Sequence, residues 1–306
     1  MNAGKMVFSQ VVARVPHWEF QRLARAFDPA DGRRQFSAWD HFLALAFAQM
    51  TFRESLRDIE ACLNTVRLAY HLGFRSRVTR STLARANEER DWRLFSALAH
   101  KLIDRARRLY QDEPNVLDLE VPVYAVDSTV IDLSLALCPW ANWTGTDAAV
   151  KLHTALDLRG PLPAFLAVTA ASHSDVVWLD DLPIEPGSFY VMDRGYIDFR
   201  RLRRIAQAGA FFVIRDRPDV RYYVAASRPV DRSTSLRSDQ SVRFKGWFAS
   251  RGWPELMRRV SIYDLEQSMR LAFWTNQWTL PAATIAELYR QRWQIELFFR
   301  WVKHAP

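Results

Sequence analysis

One stretch near the end of the chain restricts the fold more than any other: Thr284-Ile-Ala-Glu-Leu-Tyr-Arg-Gln-Arg-Trp-Gln-Ile-Glu-Leu-Phe-Phe-Arg-Trp-Val-Lys303. Thr284 followed three residues later by Glu287 reads as a capping box, with Pro281 just upstream, so the pattern predicts a single helix from here. At about 100° per residue, Tyr289, Arg292, Glu296 and Lys303 share an arc of roughly 60°. Leu288, Trp293, Ile295, Leu297, Phe298, Phe299, Trp301 and Val302 fill most of the remaining circumference. A helix apolar nearly all round is expected to be buried, so its one polar stripe must face something that accepts charge. Spacing alone leaves two readings open: a satisfied internal ion-pair network, or part of an active site.

The rest of the chain weighs on that choice. Its 306 residues allow two domains, or one with a large insertion. With 49% hydrophobic and 25% charged residues it has globular composition. The net charge is +8, and only five of the 42 basic residues are lysine. Arginine is the better bidentate phosphate ligand, so the balance points weakly to a polyanion; a GC-rich genome gives the same bias. Cys62 and Cys138 fit no metal or disulfide spacing, which predicts a reducing cytoplasm. No apolar run approaches the ~18 residues of a membrane span, and no signal-peptide core opens the chain. The expectation is a soluble, cytoplasmic, nucleoid-associated bacterial protein with no membrane partner.

Residues 1–112 read as helical. Ser37 and Asp40 cap an apolar run to Met50, Ser55 opens a short helix to Leu63, and a further capped helix is expected over Arg75–Arg90. Helix, glycine turn at Gly73, then a helix bearing Arg80, Ser81, Arg85 and Asn87 resembles a helix-turn-helix, with Arg80, Arg85 and Asn87 as candidate DNA contacts. An ordinary solvated helical hairpin fits equally well. Gln111-Asp-Glu-Pro-Asn115 breaks the pattern as a domain boundary.

From Val121 the texture becomes strand-like. Val121–Val126 is read as a short strand delivering Asp127 at its end; Lys151–Asp157 and Leu162–Ala170 form a hairpin; Ser188–Met192 delivers Asp193. A basic helix over Asp198–Gln207 and a strand over Ala210–Arg215 follow. Residues 217–280 alternate as short strands, a β-rich insertion. Two strand-borne acids and the helix-borne Glu296 match a ribonuclease-H-like layout in a domain of residues 118–306. Three carboxylates from distant parts of a chain suit a hard divalent cation. Two such ions about 4 Å apart clamp the attacking and leaving oxygens of a phosphoryl displacement. Asp127 is expected to bridge two Mg²⁺ ions (Mn²⁺ substituting), with Asp193 and Glu296 completing one each. Arg292 and Lys303 are then expected on DNA phosphates and Tyr289 at the scissile one. Taken singly, Asp127 and Asp193 are ordinary turn residues; the case rests on all three acids.

Together these residues resemble a DDE transposase of the insertion-sequence IS-4 family. Tyr289, Arg292, Glu296 and Lys303 match its Y-R-E-K signature, and Ala125-Val-Asp-Ser-Thr129 and Asp193-Arg-Gly-Tyr196 match the motifs around its two aspartates. Phe212-Val-Ile-Arg215 matches the pattern after the second acid, and Phe36-Ser-Ala-Trp-Asp40 and Ser55–Glu60 resemble a helical domain that precedes catalysis in one branch. The resemblance implies an α/β fold: a ribonuclease-H-like catalytic domain with a β-rich insertion, after an all-helical N-terminal domain. It also implies DNA transposition: nicking at transposon ends, 3′-hydroxyl attack and strand transfer. Partners would be double-stranded DNA (terminal inverted repeats and target) and a second copy, as a dimer on DNA. Relatives stack a flipped base on an aromatic of the insertion, which makes Trp247, Trp253, Trp274 and Trp278 candidates; Trp274 and Trp278 read as core. Members continue well past the signature lysine, whereas this sequence stops at Pro306. The expectation is a truncated frame, with a catalytically inactive DNA-binding remnant as the alternative function.

Overall fold

A computed structural model describes residues 7–64, 68–74, 77–110, 113, 117, 119–133, 148–231, 233–266 and 268–304. Cys138 and most of Gln111–Asn115 lie outside them. Two compact units divide the chain, one of residues up to Arg105 together with those from Arg300 onward, the other Ala106–Phe299. Among the described residues no helix is long and apolar enough to cross a membrane.

The first unit draws on α1 (Val7–Val12), α2 (His17–Phe27), α3 (Ala38–Met50), α4 (Leu56–Leu63), α5 (Leu68–His71), α6 (Arg80–Glu89) and most of α7 (Arg93–Tyr110). The expected capping box opens α3: Ser37 Oγ accepts from the Asp40 amide at 3.1 Å while the Asp40 carboxylate accepts from the Ser37 amide at 3.0 Å. Leu43, Phe47, Ile59, Leu63 and Leu83 make its core. The helix expected over Arg75–Arg90 is shorter. Its first described turn starts at Arg80 because Thr79 Oγ1 caps the Thr82 amide; Arg75 and Ser76 lie outside the described residues.

The second unit is built on a nine-stranded sheet of order β3-β2-β1-β4-β5-β9-β8-β7-β6. The strands are β1 (Val123–Leu133), β2 (Ala148–Asp157), β3 (Leu162–Ala170), β4 (Phe189–Met192), β5 (Phe211–Arg215), β6 (Tyr222–Arg228), β7 (Leu236–Phe244), β8 (Met257–Asp264) and β9 (Met269–Thr275). β1, β4 and β5 run parallel at the centre, and β2, β3 and β6–β9 are paired antiparallel. The β-rich segment therefore continues the central sheet through the β5–β9 pairing.

Strand parity sorts the two faces. Tyr124, Val126, Tyr190, Met192, Phe212 and Ile214 pack with α8 (Asp175–Trp178) and α9 (Phe199–Gln207). Val123, Ala125, Phe189, Val191 and Val213 pack on the opposite side with α11 (Ala282–Arg290) and α12 (Trp293–His304); the short α10 (Trp247–Gly252) lies between β7 and β8 in sequence.

Three sequence expectations need correcting. Asp127 does not end its strand: β1 continues to Leu133 because β2 pairs along its whole length. What ends beside Asp127 is the parallel pairing with β4, at Val126–Met192. Second, the single helix expected from Thr284 is two. Pro281 occupies the N-cap position, which places Thr284 inside α11 with no side-chain cap, and a tight turn separates α11 from α12, the Arg292 amide bonding back to Tyr289 O at 3.1 Å. Third, α12 is not covered all round: Ile295 and Phe299 are buried, but Trp293, Leu297 and Trp301 are exposed.

A buried ion pair ties the β-rich segment to the start of α11. Arg258 grips Asp239 through Nε at 3.0 Å and Nη2 at 2.8 Å, and Nη1 donates to the carbonyls of Gln277 (3.1 Å) and Leu280 (2.7 Å). Arg258→Ala removes all four bonds and leaves a buried carboxylate with Arg228 as its one remaining ion-pair partner among the described residues. Urea denaturation is expected to show a loss of about 3 kcal/mol; an unchanged midpoint would mean that the pair is dispensable.

Candidate functional site

Register brings the two strand-borne acids together. β1 and β4 are parallel and matched at Val126–Met192, so Asp127 and Asp193 are the next residues on adjacent strands. β5 is matched to β4 at Ile214–Met192, which sets Arg215 at the same level. By parity all three belong to the face that packs on α11 and α12.

Those helices supply the rest. Tyr289, 8% exposed, donates from its hydroxyl to Asp193 Oδ1 at 3.2 Å. Arg292 bridges two acids, with Nη1 3.2 Å from Asp127 Oδ2 and Nη2 2.5 Å from Glu296 Oε1. The second oxygen of Asp127 accepts from the Ser128 amide at 2.8 Å. The structure thus gathers Asp127, Asp193, Tyr289, Arg292 and Glu296. Lys303 is exposed on α12, seven residues beyond Glu296.

The electrostatics are unbalanced towards negative charge. Burial pushes the Asp127 carboxyl up to about 6; the Ser128 amide and Arg292 oppose this, whereas Asp193 and Glu296 add to it. Burial likewise raises the Tyr289 hydroxyl to about 12, so it is a donor at neutral pH. Burial opposes the charge of Arg292, and Glu296 and Asp127 hold it charged; its buried Nε has no hydrogen-bond partner among the described residues. Two acids on the Arg292 guanidinium and a third held by the Tyr289 hydroxyl make an all-oxygen, hard donor set, which fits a hard divalent cation. Among the described residues no three acids or histidines already stand in ligand geometry.

Residues that sequence reasoning passed over flank this centre. Ser128 points to the other face, where its hydroxyl donates to Asp175 Oδ1 at 2.7 Å, and Lys151 Nζ pairs with the same oxygen at 2.9 Å. Tyr196, of the Asp193-Arg-Gly-Tyr196 motif, is buried. The side that Ser128 takes was readable from strand parity; its partner Asp175 on α8 was not. In the first unit Arg80, Arg85 and Asn87 all lie on α6; Arg80 and Arg85 are exposed, whereas Asn87 Oδ1 is hydrogen-bonded to His41 Nε2 at 2.7 Å.

Fold and site define an α/β protein with an acidic centre at the carboxyl ends of its central parallel strands, suited to oxygen-ligated cations and phosphates. The family model described as "Transposase DDE domain" matches residues 120–305, and that described as "Domain of unknown function (DUF4372)" matches residues 3–75. The first covers more than half of the chain, which therefore belongs to the DDE transposase family. That family implies a ribonuclease-H-like fold and use of a divalent metal.

Named relatives agree. "Putative transposase y4zB" of Sinorhizobium fredii is 34% identical over 185 residues, covering 58% of this chain and 50% of that protein. "Probable transposase for insertion sequence element IS5377" of Geobacillus stearothermophilus is 28% identical over 290 residues, covering 93% and 72%. "Putative transposase for insertion sequence element IS4SA" of Synechocystis is 22% identical over 236 residues, covering 73% and 61%. The chain matches between half and about three-quarters of the length of these relatives.

Proposed function

We propose that this chain carries the chemistry of DNA transposition: metal-dependent hydrolytic nicking at transposon ends, attack by the freed 3′-hydroxyl, and strand transfer. The observation that carries the reading is the register-matched pair Asp127 and Asp193, faced by Tyr289, Arg292 and Glu296. Asp127, Asp193 and Glu296 would hold two Mg²⁺ ions, for which Mn²⁺ would substitute; when bound, the ions would supply Lewis-acid activation of the attacking and leaving oxygens. Arg292, once DNA phosphate competes for its guanidinium, exchanges a carboxylate for the backbone; Lys303 binds a phosphate further along α12; Tyr289 orients Asp193 and the scissile group.

Within the DDE family the Tyr289–Arg292–Glu296–Lys303 spacing favours the IS-4 branch. Residues 1–112 act as a helical DNA-binding domain and 118–306 as the catalytic domain, with 217–280 as its β-rich insertion. Substrates are the terminal inverted repeats and target DNA, engaged by a dimer. Among the aromatics of the insertion, Trp247, 58% exposed, is the first candidate to stack a flipped base; Trp253 and Trp274 are buried, and Trp278, expected in the core, is instead 37% exposed.

The experiment is strand cleavage of a labelled duplex carrying the end sequence that flanks the gene, with and without Mg²⁺ or Mn²⁺. Metal-dependent nicking at the transposon boundary is the expected result. End binding without nicking would support instead a DNA-binding remnant, and cleavage indifferent to sequence would point to a general nuclease.

A further inference from the structure

The helical unit contains a cavity of about 550 Å³ lined by Arg34, Arg77, Arg85 and Arg90, by the hydroxyl residues Thr79 and Thr82, and by one acid, Glu89. Two of the four arginines are already engaged. Arg34 pairs with Asp28 at 3.2 Å and Glu89 at 2.9 Å. Arg90, its side chain only 2% exposed, donates to Phe36 O and lies 3.6 Å from Asp31. Its Nε, 4.0 Å from Asp28, and its Nη1 are buried with no hydrogen-bond partner among the described residues, so this guanidinium is incompletely satisfied where it borders the cavity. Arg77 and Arg85 are exposed and form no ion pair among the described residues. The first turn of α6, capped by Thr79, adds the positive end of a helix dipole.

This lining selects a phosphate and offers a base no exposed aromatic face. Phe36, the one aromatic side chain of the lining, is 9% exposed, and Arg90 lies over its ring at 5.5 Å. A mononucleotide therefore gains little from its base here, whereas a backbone phosphate loses nothing.

We propose that this cavity is a clamp for a DNA backbone phosphate, in which Arg77 and Arg85 grip the phosphate and the Arg90 charge behind them adds to the attraction. Arg85 then contacts DNA through phosphate rather than base edges, so the clamp fixes position on the duplex and carries no sequence information. The inference rests on the transposase reading in requiring DNA as the partner.

The test is the salt dependence of binding, by wild type and by Arg77→Ala/Arg85→Ala, to a duplex carrying the end sequence and to an unrelated duplex of equal length. Each phosphate contact contributes about 0.9 to the slope of log K against log salt. The alanine pair is expected to flatten the slope by about 0.9 on both duplexes, leaving their affinity ratio unchanged. Arg77→Lys/Arg85→Lys is expected to keep the wild-type slope, since a point charge suffices for a phosphate. A wild-type slope in the alanine pair would overturn the clamp while leaving DNA binding intact; loss confined to the end duplex would overturn it in favour of base readout. Failure of the wild type to bind either duplex would overturn both the clamp and the transposase reading.

Discussion

Asp127→Asn is expected to lower metal-dependent end cleavage by at least about 10³-fold, roughly 4 kcal/mol of transition-state stabilisation, while end binding and folding persist. The substitution keeps the shape and the bond from the Ser128 amide but removes the negative charge that a hard cation requires. The same charge is costly to the folded protein. Burial holds the Asp127 carboxyl at about 6, above its ordinary value near 3.8, so ionising it at neutral pH destabilises the fold. The Asn variant is therefore expected to melt at or above the wild-type temperature at pH 7, with Arg292 retained by Glu296. Activity and stability move in opposite directions, as expected where a site holds charge that the fold alone would not keep. A variant that loses both together, or that still cleaves, would remove Asp127 from the metal centre. Glu296→Gln offers a second reading of the same centre: it leaves the strands untouched, removes one of the two carboxylates on Arg292, and is expected to abolish cleavage with end binding kept.

Much of this centre was legible because strand parity is a local rule. Val123, Ala125 and Asp127 share a face, as do Val191 and Asp193, and the 3.6-residue period put Tyr289, Arg292 and Glu296 on one stripe. What parity cannot give is which strands meet. The antiparallel pairing of β5 with β9 carries the β-rich segment onto the central sheet, and no pattern within either strand announces it. The turn at Gln291–Arg292 was invisible for a related reason: Tyr289 and Arg292, on either side of it, are held by Asp193 and Asp127, each about 100 residues or more distant in sequence. Among the tryptophans, composition could not separate the exposed Trp247 from the buried Trp253 six residues on, because burial there depends on packing against Phe212 of β5. In the first unit the helix-turn-helix pattern flagged Asn87, whose amide is instead engaged by His41 of α3.

That histidine carries the second large expectation. His41 is 2% exposed and His153 is fully buried, and burial pulls both imidazoles down to about 4 from the ordinary 6.5; the cation of Arg90 adds to the effect at His41, and that of Lys151 at His153. Both are neutral in the folded protein at neutral pH. Their folded pKa lies below the unfolded one, so the unfolded chain binds more protons between pH 6.5 and 4. Stability is then fully present above about pH 6.5 and is lost as pH falls towards 4, by up to roughly 3 kcal/mol for each histidine. The two sit in different compact units, His41 against Asn87 and Phe95 in the helical one, His153 stacked on Trp178 and bonded to Thr169 at 2.9 Å in the sheet. Each can therefore be tested alone. His41→Gln and His153→Gln lose packing and a hydrogen bond, so each is expected to be less stable than wild type at pH 7.5. Each lacks the proton-linked loss of the histidine it replaces, so its urea midpoints measured down to pH 4.5 should converge with wild type and then cross it. Curves that run parallel across the whole range would mean that these imidazoles reach solvent and titrate normally, and that acid sensitivity lies with the carboxylates.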